Sequence, residues 1–557
     1  MNYSNRENKI IKYRKTFDDA AELAYERREN GDYVGALSIM QYEAQNGNNP
    51  DVYAHIADIY TQMEQYEVAI KYWYKFMLKS KPKYYFDAYN GLGANFFMAG
   101  NDALAGYYFN KQLENGSLEE SVYEDVLEDY LDSLIDMKRQ NYRVVYPKPQ
   151  SETDEENYEA AKVKIDNQDY IGAIETLNMI GEESEFYLKA KTAKGYAYFY
   201  LNELVTAFDE VSKAIDMGEI NIYSLTLAIN LSALSSSMEE FGKYIDLLLD
   251  YKDFSDDDKY KKLNLLINLN LTKEALEYSE EIVDLLPYTA DVRFLRGILF
   301  YNKKDYVEAE KNFRYSYIIT LNPIIKYYHD LSVDAASGKV RHKKLLSEFE
   351  IPEKELLKRI NTIKELYNGD RTAASKYPED FDEIAKWVFA GDNNTVQIVV
   401  AILLAHTTEQ KYLNILQDAL IDPSISDEIK HRIVSIMCEN NRYGEIAVVY
   451  GYIFRKIKIP ENKFEGEGAD IFRRAHAYAF GRLSVIEDKQ LPKLLRAALK
   501  LQRKLIERGN IDKVTNLIAL SCAIYITSDI NLFGGDMDYK YFNAEKESVN
   551  EILNMAK

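Results

Sequence analysis

At 557 residues, 46% of them hydrophobic, the chain is too long for one ordinary core and too apolar to be a disordered tail, so a solenoid or several domains are expected. The formal net charge of −21 is uneven: residues 322–557 hold 34 Lys+Arg and 34 Asp+Glu, while residues 1–321 hold 35 and 56. Such a field disfavours nucleic acid and anionic membrane as partners of the N-terminal part and favours basic ones, although net negative charge also simply keeps a protein soluble.

Residues 1–15 are polar and lack the apolar stretch of a secretory signal. From there a short segment recurs: Gly31-Asp-Tyr-Val-Gly-Ala36, Glu64-Gln-Tyr-Glu-Val-Ala69, Gly100-Asn-Asp-Ala-Leu-Ala105, Gln168-Asp-Tyr-Ile-Gly-Ala173, Asn202-Glu-Leu-Val-Thr-Ala207 and Lys304-Asp-Tyr-Val-Glu-Ala309. The closing alanines at 173, 207, 275 and 309 are separated by multiples of 34. Twelve residues before each closing alanine stands a small or apolar residue: Ala24, Ala57, Gly93, Ala161, Gly195, Leu263 or Gly297. A helical hairpin needs small side chains where its two helices cross, and large neighbours such as Phe96 fill the space between hairpins. Prolines at 50, 82, 287 and 323 end helices.

This pattern resembles the tetratricopeptide repeat family over about residues 17–322, best at 53–82, 86–115 and 290–323. At 241 the alanine is replaced by Phe241, and that repeat rests mainly on phase. The resemblance implies an all-α superhelix of antiparallel helix pairs with an inner groove lined by the first helix of each pair. Carried onto this chain, the lining includes Tyr25, Asp58, Asp87, Asn90, Phe97, Tyr158, Tyr196, Tyr200, Asn230, Asn264, Phe294 and Tyr301. Asn can hold a peptide backbone, and Tyr and Phe give rigid contact, but these rings serve equally well as packing between repeats. The Lys/Asn/Arg clamp of family members that bind acidic chaperone tails is absent: the corresponding places hold Ala21, Tyr25, His55, Asp87 and Gly91. The expected partner is a protein or peptide, neutral to basic.

Residues 118–138 read as one amphipathic helix, and 141–156, with two prolines and a charge run, as a linker. It divides the repeats into three within 1–140 and five within 157–322, with 323–557 as an α-helical C-terminal domain. There the 34-residue phase is lost while helical periodicity persists, near 353–368, 379–391, 395–406, 409–421, 426–440, 444–457, 469–485, 491–509 and 511–528. Within about 379–440, two stretches have an Asp in the turn, Thr or Ser as the cap and an apolar helix after it, which is similar to HEAT-type repeats. Lys493, Arg496, Lys500, Arg503 and Lys504 share one side of a helix at 491–508, with Leu494, Ala498, Leu501 and Leu505 on another. The basic side is either a phosphate-binding element or an ordinary solvated face. Phe533-Gly-Gly-Asp536 reads as a loop before a last short helix.

No motif for chemistry emerges. Gly91-Leu-Gly93 lies inside a repeat helix and not after a strand, and the six histidines have neither an HExxH pattern nor close pairing. Asp256-Asp-Asp258 after Ser255 reads as a helix start, not a calcium loop. Cys438 and Cys522 lie in apolar runs and cannot alone build a disulfide framework or a Cys zinc site. The longest apolar runs, 396–405 and 517–527, fall well short of the roughly 20 residues that span a bilayer. The sequence therefore predicts a soluble cytoplasmic scaffold without metal or cofactor. A nucleic-acid-associated protein using 491–508, and an enzyme with a motif-free C-terminal site, are the alternatives.

Overall fold

The computed structural model describes residues 17–114, 127–132, 150–235, 237–252, 255–369, 377–461, 463–486, 490–530, 532 and 534–557. Of the expected helix at 118–138, residues 127–132 are described and helical; linker residues 141–149 and Phe533 lie outside the described residues. The remaining linker residues, 150–156, are not linker: they open a helix that runs to Asp166. Its acidic first turns suit a helix N-terminus, which a count of charges alone reads as a loop.

Three hairpins fill residues 17–113: α1 (Phe17–Glu29) with α2 (Tyr33–Asn46), α3 (Asp51–Gln62) with α4 (Tyr66–Lys79), and α5 (Tyr85–Met98) with α6 (Asp102–Leu113). Five more follow: α7 (Gln150–Asp166) with α8 (Tyr170–Leu177), α9 (Tyr187–Tyr200) with α10 (Leu204–Asp216), α11 (Ile222–Leu234) with α12 (Met238–Asp250), α13 (Asp256–Asn268) with α14 (Thr272–Leu285), and α15 (Ala290–Asn302) with α16 (Tyr306–Thr320). The seven closing alanines, Ala36 through Ala309, are all fully buried at 0% exposure. At the crossings, an added Cβ on Gly93 would stand 2.5 Å from the Phe109 ring, and one on Gly297 2.6 Å from that of Phe313. In α12 the half-buried Phe241 does not replace the alanine; Tyr244 and Leu248 take the core instead.

The repeated segment is a helix stop followed by a helix start. Its first residue, Gly31, Glu64, Gly100, Gln168, Asn202, Asn270 or Lys304, has a left-handed φ of 58° to 77°. The next N–H then reaches back into the helix just ended, as Asp32 does to the Arg27 carbonyl at 2.9 Å and Asp305 to that of Phe300 at 2.9 Å. Only two of the seven turn residues are glycine, so the hairpin packing outweighs a cost of roughly 1–2 kcal/mol at the others. Asp32, Asn101 and Asp169 then cap the second helices through the N–H groups of Gly35, Leu104 and Gly172.

Beyond the repeats come α17 (Pro323–Ala336), α18 (Glu353–Asn368), α19 (Phe381–Ala390), α20 (Asn394–His406), α21 (Gln410–Ile421) and α22 (Asp427–Glu439). The expected helix at 444–457 is instead a β-hairpin, β1 (Gly444–Tyr450) paired antiparallel with β2 (Ile453–Ile459). Its loop, Gly451 and Tyr452, has φ of 53° and 63°, the backbone of a tight hairpin turn, and its strands carry β-branched and alternating residues. Two strands alone are marginal in water, and helices complete their hydrogen bonding. Gln417 of α21 pairs with both backbone groups of Ala447, at 2.7 and 3.3 Å, and Lys430 of α22 donates to the Val449 carbonyl at 2.7 Å. Ser426 caps α22 as expected, whereas Asn393 and not Thr395 caps α20. Helices α23 (Ala469–Leu483), α24 (Pro492–Glu507), α25 (Leu517–Ile526), α26 (Asp536–Phe542) and α27 (Lys546–Met555) share one core with α19–α22 and the β-hairpin.

Contacts gather the chain into two compact units. Of the described residues, one unit comprises those within 17–132, 321–324 and 350–557, and the other those within 150–320 and 325–349.

Candidate functional site

In the first unit the expected groove residues lie on the first helices. Tyr25, Asp87, Asn90 and Phe97 are exposed, and Asp58 is half-buried. Burial pushes the Asp58 carboxyl up to about 6, with Asp87 adding to the rise and Arg28 opposing it. Burial and Asp51 also raise Asp87. The first helices thus present carboxylates and an asparagine beside two exposed rings.

Another surface of the same hairpins is occupied. The tip of the β-hairpin sits on the second helices α4 and α6 and on the first helix α5; the carbonyl of Tyr452 accepts hydrogen bonds from the hydroxyls of Tyr74 and Tyr108, both at 2.6 Å. Phe454 stacks on Tyr74 and meets Tyr85 edge-on, and Tyr452 meets Phe96 edge-on at 5.7 Å. Lys71 bonds Asp422, and Lys75 lies 3.8 Å from Asp418. The left-handed backbone of Tyr452 thus accompanies a carbonyl held by two buried hydroxyls. None of this was foreseeable from the repeat pattern, because it joins segments over 300 residues apart.

In the second unit the groove residues divide. Tyr158 packs near Phe186, the Tyr196 hydroxyl donates to the Tyr223 carbonyl at 3.0 Å, and Tyr200 stacks on Tyr170 while remaining exposed. Asn230 is exposed, and Asn264 accepts from Asn268 at 3.4 Å. Phe294 and Tyr301 are buried, partly by Phe313 and Tyr328 and partly by the chain's own segment 342–349.

That segment is held as a peptide would be. The Asn302 amide donates to the Leu345 carbonyl at 3.0 Å and accepts from the Leu345 N–H at 2.8 Å. Ser347 donates to Asn268, and Lys344 to Asn270. His342 stacks on Tyr301 at 5.6 Å and lies 3.1 Å from the Tyr306 hydroxyl, and Phe349 meets Phe294 at 4.9 Å. Asn268 and Asn302 end α13 and α15 and are 34 residues apart, one position in successive repeats. The repeat spacing could have pointed to them.

The basic residues of α24 do share a face. Arg496, Lys500, Arg503 and Lys504 are exposed and Lys493 half-buried, above a buried row of Leu494, Ala498, Leu501 and Leu505. Among the described residues none of the five has a carboxylate partner. His476 is fully buried, and burial lowers its pKa to about 3; His431 is also lowered by burial, and its Nδ1 lies 2.8 Å from the Gly481 carbonyl. Burial pushes the Cys522 thiol up to about 12 and raises that of Cys438. Among the described residues no cluster of His, Cys, Asp or Glu is arranged to hold a metal ion. Nor is any described helix long and apolar enough to cross a membrane.

No family model matches the sequence, and no curated protein matches it. Among solved structures, the chain is similar to yeast Tom70, at 13% identity and a TM-score of 0.20, over 96% of this chain and 95% of that one. The TPR2AB-domain:pHSP90 complex of yeast Sti1 aligns at 13% identity and 0.21, over 49% and 96%. The C-terminal part of a TPR protein from Cytophaga hutchinsonii aligns at 13% and 0.17, over 57% and 98%. Superpositions of this quality leave the helices far from coincident, and the repeat type rests on the hairpins themselves. The turn and buried closing alanine shared by seven of the eight hairpins mark residues 17–320 as tetratricopeptide-like helical repeats in a chain that is predominantly α-helical.

Proposed function

We propose that the protein is a non-catalytic interaction scaffold that receives an extended protein segment on the first-helix face of residues 150–320. The observation that carries this reading is the hold on segment 342–349: one asparagine amide pairs with both backbone groups of Leu345, a mode of recognition indifferent to side-chain identity. The same face continues over Asn264, Asn230 and Tyr200, of which Asn230 and Tyr200 are exposed. The acidic balance of the N-terminal part favours a neutral to basic segment. Buried cysteines and dispersed histidines support a role without catalysis.

Affinity capture from native lysate tests the proposal. Replacing Tyr200, Asn230 and Asn264 together by Ala is expected to remove captured proteins while leaving helicity and melting unchanged; undiminished capture overturns it. A nucleic-acid role has one observation in its favour, the exposed cations of α24. Lys500→Glu with Arg503→Glu is then expected to abolish oligonucleotide binding at low salt, and absence of binding by the unaltered chain ends that reading.

A further inference from the structure

Along residues 345–349 burial alternates, after two exposed lysines at 343 and 344. Leu345 and Ser347 are buried, at 7% and 8% exposure; Leu346, at 64%, and Glu348 face outward, and Phe349 turns in again onto Phe294. That period of two is what a chain lying on a surface shows where it is extended, and from Ser347 onward the chain bends so that Phe349 returns to α15. The register follows the repeats: Asn302 holds Leu345, and Asn268, one repeat earlier, holds the residue two further on, Ser347. At the same position in the two preceding repeats stand Leu234 and Tyr200, exposed by 61% and 57%. The segment therefore fills one end of a row that continues beyond it. Arg341, Lys343 and Lys344 lead into it, and the repeats that hold it carry 20 Lys+Arg and 33 Asp+Glu over residues 141–320.

We propose that residues 341–349 are the resident occupant of a peptide site and compete with the partner for it. This rests on the peptide-holding function proposed above and specifies its ligand. The partner presents an extended segment with a basic lead, followed by an apolar, a small hydroxyl-bearing and an aromatic side chain at alternate positions. Its further residues run onto Leu234 and Tyr200, which the resident segment leaves open. The competition lowers apparent affinity by the fraction of molecules whose site is vacant.

The probe is a labelled peptide with the sequence of residues 341–349, titrated into the full chain. Two full-length variants vacate the site: Leu345→Asp with Phe349→Asp, and replacement of 342–349 by glycine and serine of equal length. Circular dichroism and melting identify which are folded, and hydrogen exchange of the unaltered chain, with and without excess peptide, reads displacement should neither fold. The expected result is weak binding to the unaltered chain, binding at least about tenfold tighter to the vacated chain, and loss of that gain on adding Asn302→Ala. In the unaltered chain, peptide should speed exchange at 343–348. Equal, Asn302-dependent binding to unaltered and vacated chains would overturn the competition while leaving the peptide site standing. No binding to a folded, vacated chain would overturn both.

Discussion

Apart from α11 with α12, the hairpins of residues 17–113 and those of 150–320 are built alike, with the same left-handed turn residue and the same buried alanine, yet different helices supply the polar groups that hold the segments laid on them. In the first group the second helices α4 and α6 grip a β-hairpin through tyrosine hydroxyls, while the first helices present Asp58, Asp87 and Asn90. In the second group the first helices α13 and α15 grip an extended segment through asparagine amides. The lesson is that the repeat fixes the interior of each hairpin and leaves its outer surfaces free to recruit another segment of the chain. What decides is which helix carries polar groups on an apolar surface: Tyr74 and Tyr108 in one case, Asn268 and Asn302 in the other.

The skeleton common to both groups is the place to break them most severely. Gly93→Leu and Gly297→Leu each force a side chain into a phenylalanine ring at a helix crossing. Each is expected to cost about 3 kcal/mol in urea denaturation, with protease sensitivity rising first in the unit that carries the change. Equal sensitivity of both units to either change would mean that they do not fold separately. Next in size is the grip of the first group. Tyr74→Phe with Tyr108→Phe leaves the Tyr452 carbonyl without its two hydroxyl donors, at a cost of about 2 kcal/mol. Hydrogen exchange should then accelerate in 444–459 and remain unchanged in 342–349. Asn302→Ala should do the reverse, at about 1–2 kcal/mol, freeing 343–348 without affecting the β-hairpin.

Sequence made the hairpins readable because a helix crossing admits only small residues and a 34-residue period repeats that demand. It left Phe294 and Tyr301 open between groove lining and packing between repeats; both are buried, partly by neighbouring rings and partly by a segment no repeat rule describes. The β-hairpin was missed because Ile446, Val448, Tyr450 and their neighbours also satisfy a helical apolar pattern over a short window. Its distinguishing signals were β-branching, the Gly451-Tyr452 loop and the alternation in Arg455-Lys-Ile-Lys-Ile459. The two grips were invisible for a different reason. Both are long-range meetings of polar groups, and periodicity records only what a segment does with its own neighbours.

The smallest expected effect contrasts the units through their histidines. In the second, His329 of α17 lies 2.9 Å from Asp330 and 3.2 Å from Glu310. Burial opposes its charge, but the hydrogen bonds and charges of the two carboxylates prevail and raise it to about 9. In the first, burial alone holds His476 at about 3. A raised pKa means that the folded state binds more protons, so the His329 contribution is complete below 6.5 and is lost as pH rises through 9. A lowered one means the opposite, so the His476 contribution is complete above 6.5 and declines as pH falls toward 3. Between pH 7 and 9, then, exchange should accelerate around α16 and α17 relative to α23, and His329→Gln should flatten that slope. Between pH 6 and 4 the core around α23 should loosen, and His476→Leu should reduce the slope whatever it does to the midpoint. Two units that respond to pH in the same direction, with slopes indifferent to these substitutions, would show that neither histidine sets the contrast.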